Sequence, residues 1–167
     1  TGGKTFTITI AQDVLDEANQ TITVTLSGAS NGTISDDTGV VTITDDDATP
    51  TLAVGDVTVG EGDGTATVTV TMTGQSESTV GVNYATSNGT ATAGSDYTAA
   101  SGSLSWTTTQ TGGKTFTITI TQDVLDEANQ TITVTLSGES NATLSDATGT
   151  VTITDDDATP TLAVAST

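Results

Sequence analysis

The sequence predicts an all-β fold, an immunoglobulin-like antiparallel β-sandwich, on three observations. The first is period. In TATVTVTMT, Ala66, Val68, Val70 and Met72 fall on one face and Thr on the other, the alternation of a half-buried antiparallel strand. The second is composition. Thr makes up about a quarter of the residues, far above ordinary usage, and only two Pro interrupt the chain. Thr and Val favour strands. A charged, aromatic-poor chain can also be disordered, but strict patterning of its apolar residues argues against that here. The third is repetition. Residues 1–54 recur at 111–164, an offset of 110 residues, and differ only at positions 11, 29, 32, 34, 37 and 40. Self-similarity at a fixed period marks a repeat architecture.

The strands of one repeat follow in order. TLAVGDVTV supplies the first, over 52–59, and TATVTVTMT the second, over 65–73. VGVNYA, with Val80, Val82 and Tyr84, places the third over 79–85, and SLSW, with Leu104 and Trp106, the fourth over 101–106. Phe116, Ile118 and Ile120 define the fifth, over 114–121. Ile132, Val134 and Leu136 define the sixth, over 130–137, and Val151 and Ile153 the seventh, over 149–154. Seven short strands in about 110 residues, separated by Gly/Asn/Ser-rich turns, fit a sandwich. Trp106 and Tyr84 read as core aromatics, and Lys114 as a lysine snorkelling from the core edge. On this reading, residues 1–48 are the back half (last three strands) of one repeat, 49–158 a complete repeat, and 159–167 the first strand of the next.

Charge narrows the chemistry. The chain has 21 Asp+Glu against 2 Lys+Arg, a net charge of −19, with no His and no Cys. Such a surface repels nucleic acid and anionic lipid. Imidazole bases, thiol nucleophiles and ordinary zinc sites are excluded, and an enzyme is not expected. No apolar run is long enough to predict membrane insertion.

The acids are placed unevenly. Successive antiparallel strands alternate in direction, so the loops after the first, third and fifth strands share a pole with the end of the seventh. Glu61 and Asp63 lie in the first of these loops, Asp96 in the second, Asp123, Asp126 and Glu127 in the third, and Asp155, Asp156 and Asp157 after the last strand. Nine of the thirteen acids of the complete repeat therefore gather at one end. Two unit charges ~4 Å apart repel by about 4 kcal/mol at an effective dielectric of 20. Cations relieve that repulsion. Calcium takes six to eight oxygens in irregular geometry, whereas magnesium demands a small octahedron and keeps its water, so the sequence predicts Ca2+.

Four segments in this order resemble the Calx-β domain, a calcium-binding sandwich of sodium/calcium exchangers and many bacterial surface proteins. They are V-x-V-G-E-G-D-G-T at 57–65, G-T-A-T-A-G-S-D-Y at 89–97, the acidic loop at 123–127 and I-T-D-D-D at 153–157. The resemblance implies that Glu61, Asp96, Asp123, Asp126, Glu127, Asp155, Asp156 and Asp157 are calcium ligands. In the half repeat the corresponding set is Asp13, Asp16, Glu17, Asp45, Asp46 and Asp47, without counterparts of Glu61 and Asp96. Exchanger-type loops carry more acids than this one, where Ala128 and Asn129 follow Glu127. The expected function is a calcium-stiffened structural repeat of a large extracellular or cell-surface protein, acting in adhesion or a surface fibre. Its partners would be neighbouring repeats and other copies of the chain. The alternative is a calcium-sensing module.

The linker adds a geometric constraint. The last strand of the half repeat ends at its acidic pole, whereas the first strand of the next repeat starts at the opposite pole. Folding back would require spanning roughly 25–35 Å, and three linker residues reach about 11 Å. Phe6, Ile8 and Ile10 are therefore not expected to pack against Val68, Val70 or Val82.

Overall fold

Thr alternating with apolar residues becomes the pleat of two packed sheets. The computed structural model describes residues 3–165. In chain order its strands are β1 (Leu15–Asp16), β2 (Gln20–Thr25), β3 (Thr38–Ile43), β4 (Thr51–Val54), β5 (Val57–Gly60), β6 (Thr65–Thr73), β7 (Gln75–Ser76), β8 (Val80–Asn88), β9 (Ser101–Trp106), β10 (Gly112–Thr119), β11 (Gln130–Ser140), β12 (Thr143–Asp146) and β13 (Thr148–Thr154). A 3-10 turn spans Glu61–Asp63. Among the described residues no helix is long and apolar enough to cross a membrane.

One sheet has the order β10-β6-β4-β12 and the other β5-β13-β11-β8-β9. Between them, Leu52, Val68, Val70 and Ile118 meet Val80, Ile132, Val134 and Val151, all fully buried. Tyr84 stacks on Phe116 across the sandwich with ring centroids 3.8 Å apart. Trp106 closes the end opposite the acids, where its indole N–H donates to the Gly112 carbonyl at 3.0 Å. The Lys114 ammonium stands 5.9 Å from the Trp106 ring centroid, a cation–π contact.

The structure corrects the strand reading in three places. The first strand is not continuous, because the chain changes sheets at Gly55 and Asp56. Gly55 N–H donates to the Thr69 carbonyl at 3.0 Å, and Asp56 Oδ1 accepts from Thr150 N–H at 2.7 Å. Its two halves run parallel to β12 and β13, so the sandwich is not wholly antiparallel. The sixth strand continues to Ser140 through a register shift. The short β12 is new: its one apolar residue, Leu144, gives no period to read, yet it packs against the core.

A further correction concerns the incomplete repeats. Residues 20–43 form the β2–β3 hairpin in the same register as β11–β13, Gln20 opposite Ile43 and Gln130 opposite Ile153. Residues 3–11, whose sequence matches the fifth strand, form no ladder. In the complete repeat that strand, β10, pairs with β6, and the chain contains one β6. Phe6 (67%) and Ile10 (44%) stay exposed on an open apolar face. Residues 159–165 likewise form no strand, and Leu162 and Val164 are fully exposed. Their counterpart β4 is held between β6 and β12. Residues 166 and 167 of that expected strand lie outside the described residues.

Candidate metal centre at the acidic pole

Local chain chemistry places each acid. Glycines bracket the turn after β5. Gly60 N–H donates to Asp63 Oδ2 at 2.9 Å, and Gly64 ends the turn at φ 73°, a left-handed value that favours glycine. The turn drives Glu61 inward until only 7% of it is exposed. Glu61 Oε1 accepts from Asp123 N–H at 3.0 Å, which ties this loop to the one after β10. Beyond β13 the strand alternation continues for three residues. Asp155 and Asp157 turn inward and are half-buried, while Asp156 is exposed.

Glu61, Asp155 and Asp157 each offer a carboxylate oxygen, and the three oxygens lie within 4.8 Å of one another. Asp155 Oδ1 and Asp157 Oδ2 are buried and accept no hydrogen bond. Asp96 and Glu127 line the same cavity as Glu61 and Asp155. Asp96 is held by Thr92 N–H, which donates to its Oδ2 at 2.7 Å. Asp123 Oδ1 accepts from Leu125 N–H at 2.7 Å, closing the loop around it. Two residues of the expected set stand at the margin. Asp126 is exposed and reaches Asp157 only by its charge. Asp156 Oδ1 accepts from the Gln122 side chain at 3.4 Å.

Sequence reasoning missed the polar frame behind these acids. Asp155 N–H donates to Asn129 Oδ1 at 3.3 Å. Gln130 Nε2 donates to Glu127 Oε2 at 2.6 Å. Asn88 Oδ1 accepts from Ala93 N–H at 3.0 Å and the Tyr97 hydroxyl at 2.8 Å, fixing the loop that carries Asp96. The first repeat builds the same frame: Asp45 N–H donates to Asn19 at 3.0 Å, Gln12 to Asp46 at 2.9 Å, and Gln20 to Glu17 at 2.9 Å. A signal was present in Q-D-V-L-D-E-A-N-Q, which is identical at 12–20 and 122–130.

In the half repeat, Asp13, Glu17, Asp45, Asp46 and Asp47 line one cavity. Asp16 faces the linker instead, where the Thr49 hydroxyl donates to its Oδ1 at 3.4 Å.

Burial and repulsion by neighbouring charges push five carboxyls up, those of Glu61, Glu127, Asp157, Glu17 and Asp47. Desolvation is the largest cause at Glu61, Glu127 and Asp157, with the charges of neighbouring acids added; at Glu61 the Asp123 N–H partly offsets the rise. Glu17 and Asp47 rise for the same two reasons. Lys114, the one basic side chain of 49–158, is occupied at Trp106. An all-oxygen donor set with buried orphan acceptors fits a hard cation.

A pH dependence follows for chelator-treated protein. These groups bind protons more tightly folded than unfolded, so their contribution is fully present below the ordinary carboxylate range, near pH 4. It is lost as pH rises through their raised folded values. Thermal scans in chelator should show the acidic pole increasingly destabilising the fold as pH rises above the ordinary carboxylate range, near pH 4, and calcium should reverse that trend.

A two-sheet sandwich with carboxylates from three loops and a strand end converging at one pole defines a class of cation-binding β-domains. The chain matches the Calx-beta domain over residues 44–157, and it belongs to that family. Among solved structures it is similar to the apo form of the Calx CBD1 domain, at 29% identity and TM-score 0.61, covering 66% of this chain and all of that one. It is also similar to CBD12 of CALX1.2, at 30% identity and TM-score 0.59, covering 64% of this chain and 46% of that one. CBD12 of CALX1.1, described as a calcium-binding domain, matches at 29% identity and TM-score 0.59, with 64% of this chain and 46% of that one covered. Among curated protein sequences there is no match.

Proposed function

We propose that this chain is a calcium-binding structural repeat of a large extracellular or cell-surface protein, a calcium-stiffened extender in adhesion or a surface fibre. The observation that carries the calcium reading is the pair of orphaned buried acceptors, Asp155 Oδ1 and Asp157 Oδ2, beside the buried Glu61. A buried polar atom without a partner costs about 1–3 kcal/mol, more when charged, and a divalent cation removes that penalty at both. Glu61, Asp96, Asp123, Glu127, Asp155 and Asp157 would hold the ion, with Asp126 and Asp156 adding charge at the rim. The named likeness to a calcium-binding domain supports the same ion. The module has no catalytic role in this reading.

The extender reading rests on repetition and on the linker. The acids at 45–47 lead through Ala48, Thr49 and Pro50 directly into β4, and Pro stiffens so short a connection. Small-angle scattering on several consecutive repeats tests it. The maximum dimension should be longer and the profile more rod-like in calcium than in chelator. Unchanged dimensions with calcium bound would favour a sensing module over an extender.

A further inference from the structure

We infer that successive repeats dock through a specific joint, in which the loop carrying the acids of one repeat pairs with the β7 segment of the next. The inference deepens the extender reading and rests on it for the array; the joint itself is visible within this chain.

β1, in the acidic loop of the half repeat, pairs in parallel with β7 of the complete repeat, Leu15 opposite Gln75 and Asp16 opposite Ser76. Glu77 N–H donates to the Asp16 carbonyl at 3.2 Å, and the Ser76 hydroxyl donates to the same carbonyl at 3.3 Å. Ala18 N–H donates to the Glu77 side chain at 3.2 Å. Ser76 is a polar residue only 2% exposed. Beside the joint, a fully buried Pro50 packs on Gly74, where a Cβ would meet the Pro50 Cα at 3.2 Å. The linker and the loop thus hold the same end of the second repeat.

The chain supplies its own control. Residues 12–20 and 122–130 have the same sequence. Where a following repeat is present, Leu15 and Asp16 are half-buried and form a strand. In the second copy, Leu125 is 59% exposed and forms none. Leu125 and Asp126, the same residues with no following β7 segment against them, form a free docking edge, whose occupant is the β7 counterpart of the next repeat. Glu77 gives the joint a link to the ion site. Its carboxylate, held by Ala18 N–H, lies close enough for its charge to act on Glu17, so an ion there would draw the two repeats together.

The chain has no Cys, so an introduced pair reports the joint cleanly. Leu15→Cys with Gln75→Cys should oxidise to one intramolecular disulfide, identified by peptide mapping. Leu125→Cys with Gln75→Cys, at opposite poles of one repeat, should not close within a chain. Adding Glu77→Ala to the first pair should slow closure about two- to tenfold, the effect of one hydrogen bond. Glu77→Gln keeps an acceptor and should not. Equal closure in the two cysteine pairs, or none in either, would overturn the joint. Calcium binding measured on the same samples separates the outcomes: binding without cross-linking removes the joint and leaves the calcium reading standing, and the converse removes the calcium reading alone.

Discussion

Millimolar calcium should raise the melting temperature of the chain by on the order of 10 °C over chelator. An ion that binds the folded state alone stabilises it by about 2.7 kcal/mol at a hundredfold excess over its dissociation constant, and 1 kcal/mol moves a domain of about 110 residues by roughly 4 °C. The effect is large because the unliganded pole works against folding. Glu61, Glu127 and Asp157 are all pushed up by burial and by the charges of neighbouring acids, Asp123 among them at each. The unfolded chain separates these charges and holds no assembled cage. A thermal scan that is identical with calcium and with chelator would refute the expectation.

Glu61→Gln should separate ion binding from folding with effects of opposite sign. Gln keeps an oxygen where Glu61 Oε1 accepts from Asp123 N–H at 3.0 Å, so the tie between the two loops survives. It removes the most deeply buried charge of the pole. In chelator the variant should melt at or above the parent temperature. Its calcium affinity should fall at least about tenfold, or 1.4 kcal/mol, and most of the calcium-dependent rise in melting temperature should disappear. Glu61→Ala is the contrast, since it loses the Asp123 contact as well and should melt lower in chelator. A variant with parental affinity would exclude Glu61 from the site.

Regular parts of the fold were legible because burial leaves a period. Ala66, Val68, Val70 and Met72 alternate, and all four are buried in β6. What lacked a period was missed. β12 has only Leu144 to mark it, and the break at Gly55 and Asp56 lies inside a segment that reads as one strand. Isolated strands could be read but not formed: residues 3–11 carry the pattern of β10 without a β6 to pair with. At the acidic pole, chain direction was enough to gather Glu61, Asp96, Asp123, Glu127, Asp155 and Asp157. The outward turn of Asp156 follows from the same alternation, carried past the end of β13. Asn88, Asn129 and Gln130 act through loop contacts that no spacing announces. The position of Glu77 was beyond sequence reasoning, because it depends on how one repeat meets the next.

Equilibrium dialysis of the metal-stripped chain against radioactive calcium asks whether this carboxylate pole holds the ion. Uptake should saturate at one or more ions per chain and weaken at least about tenfold, or 1.4 kcal/mol, in Glu61→Gln. Uptake that never saturates, or that is the same in the parent and in Glu61→Gln, would contradict it.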